Sequence, residues 1–335
     1  MVVKIGINGF GRIGRMILRQ SLKREDIEVV AINDLASVQT LAHLFKWDSI
    51  HSNIGVNVQI IDENHLMVNE KLIHVTAYRN PADILWIKHG VEIVAECTGL
   101  FKDKEGVRPH LEAGAKKVVI SAPAKNPDIT IVMGVNQNQY EPDKHHIISS
   151  ASCTTNCLAP VAKVLLERFG IISGLMTTIH AYTGDQRLVD SPHNDLRRAR
   201  SAALSMIPTT TGAAKSVALV LPELAGKLNG LSVRVPTPNV SLVDFVVQLE
   251  KPQVTSNEIN EAFQEASKSE LAGILEVSEL PLVSIDYNGT TLSSIVDADC
   301  TYVNGNLAKV LAWYDNEAGY SARMLDLMSM IAREL

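Results

Sequence analysis

Val2-Val-Lys-Ile-Gly-Ile-Asn8 runs directly into Gly9-Phe-Gly11-Arg-Ile-Gly14, and an amphipathic pattern follows from Arg15 to Lys23. The first run is short, apolar and β-rich, so it reads as a strand; the last reads as a helix. A bare G-x-G-x-x-G is weak, but one that joins a strand to a helix gives each glycine a task. Gly9 permits the tight turn, Gly11 lets the backbone approach a pyrophosphate, and Gly14 lets the helix pack close on the strand. The first N–H groups of the helix then serve the phosphates.

A second strand, Glu28-Val-Val-Ala-Ile-Asn33, ends in Asp34, twenty residues beyond Gly14. An acid there accepts hydrogen bonds from ribose hydroxyls and repels a 2′-phosphate, so NAD is expected over NADP. A glycine turn with an unrelated surface acid is the plainer reading; agreement of strand, glycines, helix and acid disfavours it. The alternation continues with a helix near Val38–Phe45, strands over Val56–Asp62 and His65–Ala77, and a helix after Pro81. A strand over Val91–Glu96, a helix to Ala113 and a strand over Lys117–Ser121 follow. Such alternation implies an α/β fold: a Rossmann-type parallel sheet with helices on both faces. Ligands bind at the carboxyl edge of such sheets, which makes Thr98, Gly99, Ser121 and Arg79 candidates for the cofactor groove.

At 335 residues the chain has room for two domains. It is 46% hydrophobic and 20% charged, with a net charge of -6, which argues against nucleic acid as the primary partner. No apolar run approaches the ~20 residues of a membrane span, and no secretory signal precedes the first strand, so a cytoplasmic location is expected. Four cysteines (Cys97, Cys153, Cys157 and Cys300) are too few in this length for a disulfide framework, and no metal motif is present.

The second informative stretch is Ser150-Ala-Ser-Cys-Thr-Thr-Asn-Cys157, between an apolar segment (His146–Ser149) and an amphipathic one (Leu158–Phe169). A strand-to-helix junction puts Cys153 at a helix N-terminus, where backbone N–H groups favour thiolate over thiol. An inert buried cysteine is the competing reading. From here the pattern shifts to longer strands (Ile172–His180, Gly230–Val235, Val240–Leu249) mixed with helices. We therefore expect residues 1–150 to form an NAD-binding domain, and the amphipathic segment Asn316–Leu335 to form a C-terminal helix that the residues alone assign to neither domain. Residues 151–316 are expected to form an α+β catalytic domain with a mixed or antiparallel sheet. His180, at a strand end, is a suitable base for Cys153. Asp195-Leu-Arg-Arg-Ala-Arg200, Pro208–Lys215 and Arg234 gather arginines, threonine hydroxyls and a helix start, the makings of a phosphate receptor. A solvated basic loop beside an ordinary helix is the bland alternative.

Together these segments, with His180-Ala-Tyr-Thr183, Arg234-Val-Pro236 and Trp313-Tyr-Asp-Asn-Glu317, resemble the phosphorylating glyceraldehyde-3-phosphate dehydrogenases along essentially the whole chain. The resemblance implies Cys153 as nucleophile and His180 as its activator and general base. It implies Ser152, Thr154, Thr211 and Gly212 as contacts for inorganic phosphate. Thr183, Arg198 and Arg234 would hold the phosphate of a small phosphorylated aldehyde. Arg12, Ile13, Asp34, Arg79, Ser121 and Asn316 would contact NAD, with Asn316 near the nicotinamide. It further implies a cytoplasmic homotetramer. Ser191-Pro192 departs from the Leu-Pro usual in NAD-specific members, so residual NADP use is a live expectation. Two other readings stand beside it: an erythrose-4-phosphate dehydrogenase, and a non-enzymatic NAD- or oxidant-sensing protein.

Overall fold

The computed structural model describes residues 2–335. In chain order the first part contains β1 (Val3–Asn8), α1 (Arg12–Ser21), β2 (Ile27–Asn33), α2 (Val38–Lys46), β3 (Val58–Asp62), β4 (His65–Val68) and β5 (Lys71–Thr76). It continues with β6 (Ile93–Glu96), α3 (Lys104–Glu112), β7 (Lys117–Ile120), β8 (Ile129–Thr130) and β9 (Ile147–Ser149). These strands form one sheet in the order β3-β4-β5-β2-β1-β6-β7-β9-β8. Every residue of β1 but Lys4 is buried, as a central strand covered on both faces requires. β2 and β6 flank β1 in parallel, and β5, β7, β9 and β8 extend the parallel array. The strand order reverses at β1, so the crevice beyond its carboxyl end is the topological switch point.

Two local expectations change. His65–Ala77 is not one strand: the chain reverses at Asn69 and Glu70, both at positive φ (47° and 66°), and β4 and β5 pair antiparallel. After Pro81 there is no α-helix but two short 3-10 turns, Pro81–Asp83 and Trp86–His89, separated by Leu85 at φ 52°. Trp86 is fully buried, and a Cβ on Gly6 would lie 2.6 Å from its indole. Burying that ring directs the local path.

The remainder comprises α4 (Cys153–Phe169), β10 (Ile171–Ala181), β11 (Ile207–Thr210), α5 (Ala213–Val220), β12 (Leu228–Val235) and β13 (Ser241–Leu249). Then come α6 (Ser256–Lys268), β14 (Leu275–Ser278), β15 (Ser294–Asp297), β16 (Tyr302–Asn304), β17 (Leu307–Tyr314) and α7 (Ala318–Ala332). The second sheet runs β11-β12-β10-β13-β17-β15-β14, with β16 on β17. It is mixed: β10 lies parallel to β12 but antiparallel to β13, and β13 antiparallel to β17. β13 alternates strictly between buried and half-buried residues, the mark of a sheet with one covered face. α4 packs on that sheet and on α5 and α6, and its Leu158, Val161 and Leu165 are fully buried.

By compactness the chain divides into two units. One holds residues up to Ile131 with Gln137–Ala151 and Ser321–Leu335; the other holds Val132–Asn136 with Ser152–Tyr320. Most of α7 thus groups with the first unit, where Arg24 bonds both Asp26 (2.8 Å) and Asp326 (2.7 Å). Among the described residues no helix is long and apolar enough to cross a membrane.

Candidate active site

In the first unit a cavity of about 320 Å³ opens where β1, β2 and β6 end, lined by Gly9, Gly11, Asp34, Arg79, Thr98 and neighbouring residues. Gly9 has φ +90°, and a Cβ there would lie 2.7 Å from the Thr98 nitrogen. At Gly14 a Cβ would collide with the Gly9 carbonyl oxygen, so this glycine sets how closely α1 lies on β1. At Gly11 a Cβ would meet nothing within 4 Å. That gap, beside a helix start that no side chain caps, is the shape a pyrophosphate needs. Asp34 is held rigidly: its carboxylate accepts the N–H of Phe10 (2.8 Å) and of Ala36 (3.0 Å). The residues fit a dinucleotide. Arg12, Ile13, Gly14 and Ser121 are not among the residues lining the cavity. The Arg12 guanidinium is paired with Asp48 at 2.6 Å, and Ser121 follows β7 with its N–H on the Glu96 carbonyl.

Beneath the cavity lies a polar chain that sequence reasoning missed. Glu96, 1% exposed, accepts from the Thr98 N–H (2.8 Å), the Thr98 hydroxyl (2.5 Å) and the Asn8 amide (2.6 Å). His110 is wholly buried, 3.1 Å from Glu96, and takes the Trp86 indole N–H on Nδ1 at 2.8 Å. An indole N–H only donates, so the ring proton of His110 sits on Nε2 and points at Glu96. Asn8 Oδ1 in turn accepts from Asn33, which bonds the backbone of Tyr78. The network fixes the ends of three strands at the cavity floor. Its only trace in the sequence is polar residues at the ends of apolar strands.

In the second unit Cys153 is the first residue of α4, whose N-cap Ser152 accepts the Thr155 N–H at 3.0 Å. Two residues earlier Ala151 adopts φ 56°, a sharp turn into the helix. Cys153 Sγ lies 3.5 Å from His180 Nε2, and His180 Nδ1 lies 2.6 Å from the Ala181 carbonyl. A carbonyl only accepts, so Nδ1 carries the proton and the Nε2 lone pair faces the thiol. Burial pushes the Cys153 thiol up, against the pull of Arg234, and burial together with Arg234 pushes the His180 imidazole down. Either charge alone is disfavoured. Moving the proton from Sγ to Nε2 makes both at once, and at this separation their attraction is about 5 kcal/mol at an effective dielectric of ~20. Ionisation therefore belongs to the pair. Cys157, one turn on, is buried with Sγ 3.8 Å from the Ala312 carbonyl, and all four cysteines are free thiols.

Sheet register brings the arginines in. His180 of β10 pairs with Arg234 of β12, whose Nη1 donates to Thr183 Oγ1 (2.8 Å) and to the Ala181 carbonyl (3.1 Å). Arg198 reaches Asp185 (2.6 Å) and Thr209 (3.1 Å), and Thr183 donates to Asp185. Burial would raise the Asp185 carboxyl, but the Thr183 hydroxyl, Arg234 and Arg198 hold it below the usual range. A carboxylate thus sits among donors suited to an anion. Thr211 and Gly212 open α5, with Gly212 as N-cap and open space beside its Cα. The Thr154 hydroxyl shares a bond with Tyr314 OH (2.9 Å), which also meets Thr178 (2.9 Å). Tyr314 stands edge-on to His180 with ring centroids 6.0 Å apart, a packing contact the sequence did not single out. Asn316 is buried with Oδ1 on Ser241 at 2.8 Å. Among the described residues no group of three or more His, Cys, Asp or Glu side chains is disposed to hold a metal ion.

A dinucleotide-binding α/β unit and a second unit with a cysteine–histidine pair beside arginines define an NAD-dependent dehydrogenase. Residues 3–104 match the family model described as the NAD binding domain of glyceraldehyde 3-phosphate dehydrogenase, and residues 152–316 match its C-terminal domain. The chain is 62% identical over 333 residues to "Glyceraldehyde-3-phosphate dehydrogenase" of Geobacillus stearothermophilus, covering 99% of each chain. It is 58% identical over 333 residues to the protein of that name in Priestia megaterium, again covering 99% of each. It is 60% identical over 327 residues to "Glyceraldehyde-3-phosphate dehydrogenase 1" of Bacillus cereus, covering 97% of each. The chain belongs to the glyceraldehyde-3-phosphate dehydrogenase family.

Proposed function

We propose that the protein oxidises glyceraldehyde 3-phosphate to 1,3-bisphosphoglycerate, taking up inorganic phosphate and reducing NAD. The observation that carries this reading is the thiol of Cys153 facing the unprotonated Nε2 of His180, with Arg234 in register beside it. His180 takes the thiol proton as Cys153 adds to the aldehyde carbon, and returns it to the oxygen to give a hemithioacetal. His180 then removes that hydroxyl proton as the carbon is oxidised to a thioester. NAD, when bound, supplies the acceptor for the departing hydride. Inorganic phosphate attacks the thioester, and Cys153 leaves as a thiolate.

The residue assignments follow the family pattern. Thr183, Arg198 and Arg234 hold the aldehyde's phosphate; Ser152, Thr154, Thr211 and Gly212 hold inorganic phosphate. Thr154 would serve through its backbone, since its hydroxyl is engaged by Tyr314. Gly9, Gly11, Arg12, Ile13, Gly14, Asp34, Arg79, Thr98 and Ser121 hold NAD within a domain of residues 1–150 completed by 317–335. Asn316, in the catalytic domain 151–316, is assigned to the nicotinamide by the same pattern. A cytoplasmic homotetramer working in glycolysis completes the reading. The test is phosphate dependence and product analysis with glyceraldehyde 3-phosphate and erythrose 4-phosphate as alternatives. Phosphate-dependent NAD reduction yielding an acyl phosphate from the triose is expected. Phosphate-independent release of an acid, faster with the tetrose, would overturn it.

A further inference from the structure

Ser241 begins β13 and is 1% exposed. Its Oγ accepts the Ala181 N–H at 3.1 Å and lies 2.8 Å from Asn316 Oδ1. A hydroxyl has one proton to give, and an N–H cannot receive it, so that proton goes to Asn316. The Asn316 carboxamide is thereby fixed with its oxygen on Ser241, leaving its NH2 as the donor. The other bond acts on the acid–base pair. Ala181 carries the carbonyl that holds the proton of His180 on Nδ1 and also receives Arg234 Nη1. Ser241 anchors Ala181 through its N–H, while the next N–H, of Tyr182, is held by the Thr237 carbonyl at 3.1 Å.

The residue before Ser241 gives independent support. Val240 has φ 64°, a left-handed conformation that a β-branched side chain strongly disfavours. It is kept there by packing: Val240 is 3% exposed, clustered with Tyr287 and Ile295 and flanked by Leu292 and Trp313. Asn239, just ahead, donates to Asp315 and Asn288, both at 2.8 Å. Strain so firmly held, one residue from a hydroxyl that meets two parts of the site, points to aim.

We propose that Ser241, aimed by the strained Val240, is a positioning residue that serves both halves of the reaction. It fixes the Asn316 amide with its NH2 as the free donor, and it steadies Ala181, whose carbonyl sets the tautomer of His180. The first half rests on the assignment of Asn316 to the nicotinamide; the second stands on the geometry of Cys153, His180 and Ala181 alone.

The experiment compares the full-length wild type with Ser241→Ala, Asn316→Ala and the double variant. The readouts are steady-state NAD reduction and, without cofactor, iodoacetamide alkylation of Cys153 across pH. Small misplacements of reacting groups cost up to about a hundredfold, so Ser241→Ala should lose roughly ten- to a hundredfold in kcat with little change in the aldehyde KM. In the double variant the two losses should not multiply, because one residue acts through the other. Alkylation should slow and its pH profile shift in Ser241→Ala but not in Asn316→Ala. Kcat and alkylation both within twofold of wild type in Ser241→Ala, or losses that multiply in the double variant, would overturn the proposal. If alanine does not fold at this site, Ser241→Cys keeps the shape with a weaker donor and should fall between. A wild type that reduces no NAD would refute the activity, while alkylation, needing no cofactor, would still decide the Ser241–Ala181 half.

Discussion

The dinucleotide cavity and the thiol site are built in opposite ways. The cavity is made of backbone: a glycine at φ +90°, an open gap at Gly11, the bare start of α1 and three strand ends. Its lining comes from four short segments, around Gly9, Asp34, Arg79 and Thr98. The thiol site is made of side chains from distant segments, joined by the start of α4 and the register of β10, β12, β13 and β17. A backbone site tolerates changes that leave space open and fails where packing is tight. A side-chain site fails when one functional group is lost, even though the fold survives.

The sharpest break falls on the side-chain site. Cys153→Ala should reduce aldehyde-dependent NAD reduction to background while melting stays near that of wild type. His180→Asn should lower kcat about 10²–10⁴-fold, the usual cost of losing a general base. It should also slow alkylation of Cys153; an unchanged rate would remove Nε2 from the role given to it.

The backbone site predicts a contrast between two glycines. Gly14→Ala forces a Cβ into the Gly9 carbonyl and should cost about 1–3 kcal/mol of stability, as overpacking does. Gly11→Ala meets no protein atom, so its melting should match wild type while NAD binds more weakly in calorimetry. Equal melting of the two would mean that α1 does not depend on this close approach.

Charge at the cavity gives a smaller effect. Asp34 should keep kcat/KM for NAD above that for NADP despite Ser191, and Asp34→Ser should narrow the ratio. Parity in the wild type would show that the residue at 191 outweighs the acid. The smallest effect concerns Asp48. Burial pushes its carboxyl up, but the His51 N–H and Arg12 outweigh this and hold it at about 2. The unfolded value is ~3.9, so the stabilisation is present above that pH and is lost as pH falls through the folded value. The melting difference between wild type and Asp48→Asn should shrink from pH 6 toward pH 2, starting from about 1 kcal/mol or less after solvent screening.

Much of the cavity was legible because its signals are local. Gly9, Gly11 and Asp34 act through backbone shape and the end of one strand, and each line of that reading needs only its near neighbours. Glu96 and His110 were not legible, since a buried acid in the pattern Ile93–Glu96 gives no sign of the partners that make it tolerable. The hairpin at Asn69 was missed because an apolar run hides a two-residue turn. Cys153 and His180 were recognised through family resemblance and the strand-to-helix pattern, but their electrostatics were not: desolvation depends on what packs around them.

What the sequence determined by itself was the first strand–helix–strand unit, β1 to β2, with its glycine turn, and the helix that begins at the cysteine. These follow from side-chain period and backbone freedom over a few residues. Tertiary structure alone decided that Arg234 stands beside His180, that Tyr314 packs against its ring, and that Ser241 touches both Ala181 and Asn316. Such meetings depend on strand register and helix packing, which sum weak preferences over the whole chain and leave no mark at any one position.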